Sequence, residues 1–290
     1  MNWKLLVCMA VLYQYGLVHI AIKRIGAVEG SRTRKLVWQY FFAALLAIAT
    51  AVIAGRIAIN MTTLVVAVIG AANAFACYCH WRAYDISMAR TAVMSNLDDL
   101  LAMALGYLLL GELRVLTPLL AAGVILCLVS AIVFAKIKQK KDGAPVRLIG
   151  WVIGYSTIWG VAIFSMRYFS LQGLSMPTYV VAWYFGAWCG ALLTRFVLIG
   201  PHEAGPPLTL VQRSKVFLLA GGIWTSLMMS YWIRELLPNT VAQPIQLVAE
   251  MCIPVFTAMV FFGEARTMSR KELLVIFGGI IGVILIAIGF

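Results

Sequence analysis

Residues 239–264 read NTVAQPIQLVAEMCIPVFTAMVFFGE, and the fold turns on this stretch. It is an apolar run long enough for a helix to cross a bilayer, which takes about 20 residues. Yet it carries Asn239, Gln243, Gln246 and Glu250 at i, i+4, i+7 and i+11, one face of a helix. A carboxylate in hydrocarbon costs about 2.5–3.5 kcal/mol on insertion scales, so such residues face a protein interior or a watery cavity. The first half of the chain carries a counterpart. Asp98 stands 152 residues before Glu250 (250 − 98), with Thr91 and Ser95 on its face and Asp99 beside it. Fourteen residues after each acid comes the glutamate of a Gly-Glu step, Gly111-Glu112 and Gly263-Glu264.

Composition supports the same reading. The 290 residues are 63% hydrophobic and 12% charged, about half the charge of a soluble domain. The apolar runs are continuous rather than alternating, which excludes a β-barrel. The expected class is all-α, a polytopic membrane protein. Ten spans fit, at 3–22, 36–54, 62–84, 89–110, 115–135, 148–169, 177–199, 216–233, 240–262 and 272–290. The basic segment 136–147, KIKQKKDGAPVR, divides a five-helix repeat at 1–135 from a second at 148–290. The offset of 152 that pairs Asp98 with Glu250 also places Arg82 on Arg234 and Gly111-Glu112 on Gly263-Glu264. An offset of 144 places Tyr15-Gly16 on Trp159-Gly160 and Lys23 on Arg167, and the longer connection 200–215 absorbs the difference. Five spans per copy turn the second copy upside down. Inverted repeats around a mid-membrane site are a transporter architecture.

The net charge of +12 resides in short loops, and no basic domain exists to dock nucleic acid. Lys and Arg gather in the loops after odd-numbered spans, so the positive-inside rule puts both termini outside the cytoplasm. The run 3–22 is too long for a signal-peptide core and reads as a retained helix. The six cysteines all fall in apolar spans and read as small hydrophobes. Cys77 and Cys79 point to different faces of a helix, against a metal site. No phosphate loop, zinc spacing or nucleophile elbow occurs, so neither enzyme nor cofactor is expected.

The expected partners are a small-molecule solute, the lipid bilayer and, as coupling ion, protons. Asp98 and Glu250 are the candidate binding or coupling groups, with Gln243, Gln246 and Ser95 beside them. For Gln243, Gln246 and Ser95 the alternative is interhelical hydrogen-bond glue. Tyr15 and His19 share a face of the first span, Asn73 and His80 a face of the third. Trp159 and Trp224 lie deep enough to line a cavity, with packing or an interfacial belt as the alternative. Pro244 and Pro254 mark a kinked or broken ninth span. Both Gly-Glu steps read as structural, the glycine ending a helix and the glutamate reaching the interface.

The pattern resembles the drug/metabolite transporter superfamily, EamA type. Carrying the resemblance are the two five-span halves, the pairs Tyr15-Gly16 and Trp159-Gly160, and the half-closing segments 103–114 (MALGYLLLGELR) and 254–266 (PVFTAMVFFGEAR). It departs from the family's pattern at Ala102, where the second half has Pro254, and in the acidity of Asp98-Asp99. The resemblance implies secondary transport, often export, of amino acids, other metabolites or drugs across a bacterial inner membrane. Two alternatives are a flippase of lipid-linked intermediates with the same fold and a non-transporting membrane scaffold.

Overall fold

A chain in lipid must close its backbone hydrogen bonds within itself, and a helix does so residue by residue. The computed structural model describes residues 2–18, 20–21, 31–55, 58–94, 97–140, 146–199, 207–262 and 269–290. Among these residues it is helical, with no strand. Helix α1 is Trp3–Val11, capped by the Asn2 side chain, and it widens into a π-helical stretch at Leu12–Val18. Helix α2 is Arg32–Ile53, α3 Met61–Met94 and α4 Leu97–Leu109. A 3₁₀ turn at Glu112–Val115 leads to α5, Pro118–Lys140. Helix α6 is Val146–Leu171, α7 Met176–Leu193 with a π-helical end at Thr194–Ile199, and α8 Leu210–Leu236. Helix α9 is Asn239–Phe262, and α10 is Arg270–Gly289. Local chemistry sets several of these ends. Thr209 and Gln212 form a capping box on α8. Gly111 and Gly173 take positive φ, 64° and 76°, at helix exits, a conformation that costs other residues more.

Among the described residues, five helices are long and apolar enough to cross a membrane. The outer surface is apolar, and polar groups are buried among the apolar core. Ile53 is 87% exposed, Leu108 79% and Leu218 70%, whereas Gln243 is 0% exposed and Arg234 2%. An apolar coat around buried polar groups is the surface of a membrane protein.

Helix limits depart from the expected spans most at the third and fourth. A loop was expected over 85–88, but α3 continues to Met94 and α4 is left with 13 residues. No glycine or proline stands between Tyr84 and Ala89 to end the helix, and ending it there would strand backbone groups. The expected connection 136–147 also narrows, since α5 runs to Lys140 and α6 begins at Val146. Helix α9 stays continuous through Pro244 and Pro254.

The packing has an internal exchange. Helix α5 packs on α10, α2 on α7 and α4 on α9. Helix α3 packs on α6 as α8 does on α1, α3 on α7 as α8 on α2, and α4 on α6 as α9 on α1. Exchanging α1–α5 for α6–α10 maps these pairings onto themselves. The offsets read from the sequence reappear in contacts. Gly16 faces Ile253, and Gly160 faces Leu101, which stands 152 residues before Ile253. The Cys127 thiol donates to the Gly279 carbonyl at 3.7 Å, and these two are also 152 residues apart. Helices α5 and α10 run antiparallel, with Gly123 against Gly282 and Leu120 against Gly289.

Small residues bring the longest helices together. A Cβ added at Gly186 would meet the Ala67 backbone, and one at Gly190 the Ala71 backbone. These two glycines, four apart on α7, let it lie directly on α3. The variant Gly186→Leu is expected to destabilise the detergent-solubilised protein by about 1–3 kcal/mol or more through overpacking. Gly150→Leu, where an added Cβ meets nothing within 4 Å, serves as the control. Thermal unfolding of both variants checks this, and equal shifts would contradict the close α3–α7 approach.

Candidate functional site

A cavity of about 180 Å³ lies between the two sets of five helices. Helix α1 reaches it through its π-helical stretch, which presents Gln14, Tyr15 and Val18. Such departures from α geometry recur at functional sites because they re-aim side chains. Helix α2 supplies Gln39 and Tyr40, and α3 supplies Asn73, Cys77 and His80. From the other set come Tyr155 and Trp159 on α6, Trp183 and Tyr184 on α7, Ser226 and Ser230 on α8, and Glu250 on α9.

The wall is aromatic and ordered by stacking. The His80 ring lies on Tyr155, centroids 4.2 Å apart and planes 13° apart. Tyr155 stacks toward Trp159 at 6.5 Å, and Trp159 meets Trp183 edge-on at 6.0 Å. Hydroxyls and amides of the lining bond to one another and to the backbone. Asn73 Nδ2 donates to the Tyr40 hydroxyl at 3.2 Å, the Tyr184 hydroxyl donates to the Ile223 carbonyl at 2.7 Å, and Ser230 Oγ donates to Gln14 Oε1 at 3.3 Å. Glu250 is half-buried on this wall, and no Lys or Arg is among the lining residues. Aromatic faces and a carboxylate attract positive charge. The volume suits several waters or one small solute, since drug-sized ligands occupy about 300–1,000 Å³.

Behind the wall lies a buried polar knot centred on Arg234. Its Nη2 donates to Gln243 Oε1 at 2.8 Å and to Gln246 Oε1 at 2.9 Å, and its Nη1 to the Ser230 carbonyl at 2.9 Å. Gln243 Nε2 donates in turn to Asp99 Oδ1 at 2.6 Å. Asp98 Oδ1 accepts from the Asp99 backbone N–H at 2.8 Å. The carboxyls of Asp98, Asp99 and Glu250 lie within electrostatic reach of one another, and Arg234 lies within reach of both aspartates.

The expected site residues divide accordingly. Tyr15, Asn73, His80, Trp159 and Glu250 come together around the cavity. Asp98 does not join them. It is buried in the first described turn of α4 and is absent from the cavity lining. Gln243 and Gln246 bind Arg234, the glue role rather than cavity lining. Trp224 lines a separate cleft between α1 and α8. His19 and Ser95 lie outside the described residues, as do Gly263 and Glu264.

Two residues gain roles that their sequence positions concealed. Arg234 reads as a loop cation ahead of Pro238, but α8 continues to Leu236 and encloses it. The signal was present in Gln243 and Gln246, two amides on one face a short turn later. Glu112 does not reach the interface. It is buried, and its two oxygens accept from the Asn239 and Thr240 backbone N–H groups at 3.1 and 3.0 Å. It thus caps α9 from the other set of helices. Arg167 pairs with it at 3.5 Å and donates to the Arg234 carbonyl at 2.7 Å.

No family model matches this chain, and no curated protein matches it. A solved crystal structure, described only as that of a protein, superposes with a TM-score of 0.69 at 17% identity, covering 99% of this chain and 97% of its own. That likeness establishes a shared fold and nothing about activity.

Arg234→Leu is expected to destabilise the solubilised protein by about 3–5 kcal/mol, because buried acceptors and a charge lose their partner. Adding Asp99→Asn is expected to recover part of the loss. Chemical denaturation of the single and double variants measures the coupling, and strictly additive losses would mean the two groups act independently.

Proposed function

We propose that this protein is a secondary transporter that carries a small amphipathic metabolite, bearing positive charge, through the membrane by alternating access. The observation that carries the reading is the cavity between the two sets of helices, polar and aromatic, with Glu250 in its wall. An ionisable group inside an apolar coat marks a solute or ion pathway. The exchange relating α1–α5 to α6–α10 supports ten spans arranged as two inverted repeats, the architecture that rocks about a central site. It also agrees with the resemblance to EamA-type drug/metabolite transporters, which favours export across a bacterial inner membrane with both termini outside the cytoplasm.

In this mechanism Glu250 neutralises the solute's cationic group, while the rings of Tyr155, Trp159 and Trp183 cover its apolar body. Amino acids fit the size and the amphipathic character. Protons are the candidate coupling ion, exchanging with the solute at Glu250. Arg234 is the fixed counter-charge that keeps the neighbouring aspartates from competing for the solute. The helices move as bodies on the small-residue seams, α3 on α7 and α5 on α10.

Glu250→Gln keeps the shape of the side chain and removes its charge. It is expected to lower solute-coupled flux in proteoliposomes by at least about tenfold, in line with loss of a buried charge-assisted contact, while the unfolding temperature stays near that of the wild type. Counterflow of labelled amino acids and amines, with an internal pH dye to follow protons, reads the effect. Unchanged flux in this variant would sink the proposal.

A further inference from the structure

Three helices bring arginines together at one end of the bundle. Helix α2 packs on both α7 and α8, and aromatic contacts fix its register on each. Toward α7, Phe41 meets Trp188 with ring centroids 5.6 Å apart. Toward α8, Phe42 meets Phe217 edge-on at 5.4 Å. One turn earlier on both of these helices, the Arg213 guanidinium lies 4.6 Å from the centre of the Trp38 ring. Arg34 stands seven residues before Phe41, and Arg195 stands seven after Trp188. The antiparallel pairing thus sets them level, and they lie within electrostatic reach of each other. Arg34, Arg195 and Arg213 are all half-buried. Among the described residues no carboxylate pairs with any of the three. Arg213 Nε donates to the Leu208 carbonyl at 3.1 Å, which holds that side chain against α2. Like charges gathered at a partly desolvated spot repel. The positive-inside rule explains arginines on this side of the bundle, but it asks nothing of their convergence.

We infer that this cluster binds an anionic phospholipid, its headgroup phosphate between Arg34 and Arg195 with Arg213 beside them. Guanidinium forks match phosphate oxygens in geometry and charge. The phosphate also offsets the repulsion between the two facing arginines. The surroundings select a lipid over a soluble anion. Phe196, Val197 and Leu198 follow Arg195, Leu210 and Val211 precede Arg213, and all five are exposed. Apolar surface for acyl chains therefore continues directly from the cations. The rings of Trp38, Phe41 and Trp188 lie just below, where aromatic residues meet the headgroup region. Basic pockets between membrane helices bind anionic headgroups by this combination. Arg34 belongs to the first set of five helices, and Arg195 and Arg213 to the second. A bound headgroup thus ties the two sets together at this end. The inference does not depend on which solute the central cavity takes.

The test measures binding of phosphatidylglycerol and phosphatidylcholine to the full-length, delipidated protein by native mass spectrometry, with thermal unfolding in detergent alongside. Wild type is expected to bind phosphatidylglycerol about tenfold or more tightly than phosphatidylcholine. The double variant Arg34→Gln, Arg195→Gln is expected to weaken phosphatidylglycerol by about tenfold and to leave phosphatidylcholine within about twofold of wild type. Arg270→Gln, Lys271→Gln removes the same charge from exposed positions at the start of α10. It is expected to keep phosphatidylglycerol within about twofold of wild type, because it spares the phosphate contacts. Without added lipid, the Arg34, Arg195 double variant is expected to unfold no lower than wild type, since a like-charge contact is gone. Arg195→Gln alone reads the same loss of binding in a chain that keeps Arg34. Equal affinity of wild type for the two lipids would overturn the site. Equal weakening by the two double variants would also overturn it, since net charge alone would then account for binding. A lower unfolding temperature of the first double variant without lipid would overturn it too, because the arginines would then serve the fold. Displacement of phosphatidylglycerol by inorganic phosphate would overturn the lipid as occupant in favour of a soluble anion.

Discussion

A guanidinium held away from water inside an apolar bundle must find partners within the protein; Arg234 finds them on two helices and reaches a third through Gln243, while its Nε makes no hydrogen bond. Its own helix, α8, offers the Ser230 carbonyl, and α9 offers Gln243 and Gln246. Gln243 passes the connection to Asp99 on α4. The rest of the site hangs on this knot. It sets the rotation of α9 about its own axis, and that rotation turns Glu250, one to two turns further on, into the cavity wall. It also fixes the stretch of α8 that carries Ser230 to the same wall. A bundle without the knot would leave two amides and a carboxylate buried without partners, at a cost of several kcal/mol.

Close packing and open space are divided between different residue types. Where backbones touch, glycine and alanine stand: Gly186 and Gly190 over Ala67 and Ala71, and Gly123 over Gly282. Where helices stay apart, large rings stand between them, and Trp159, Trp183 and Tyr155 keep the cavity from collapsing. The pair Trp159-Gly160 does both in two residues. The indole enters the cavity, and the glycine admits α4, where a Cβ would come within 2.8 Å of the Asp98 carbonyl. Tyr15-Gly16 repeats the device on α1, with Gly16 facing Ile253 of α9.

The exchange between the two sets of helices is incomplete, and its failure is informative. Asp98 and Glu250 correspond in sequence, yet Asp98 is buried away from the cavity lining and Glu250 stands on it. The same register therefore gives a carboxyl packed away from the cavity in one copy and a carboxyl on its wall in the other. Glu112 shows how the copies depend on each other, since it leaves the end of one half to cap the start of α9 in the other. A symmetric pair of acids would offer a solute two equal sites. The asymmetric pair leaves Glu250 as the acid on the cavity wall.

The helical class, the apolar coat and the special face of the ninth segment are properties of local sequence. Hydropathy and spacing follow from the residues themselves, and every choice of neighbours in an apolar solvent leaves them standing. The same spacing placed Asn239, Gln243, Gln246 and Glu250 together, and the glycines of Tyr15-Gly16 and Trp159-Gly160 marked close approach. Partner choice is not local. Whether Gln243 meets a solute or an arginine depends on what α8 brings opposite it. Which helices pack around α4 decides whether Asp98 faces the cavity. Only the packed bundle decided these points, because a buried polar group is satisfied by whichever partner the surrounding helices deliver, and that partner can stand more than a hundred residues away.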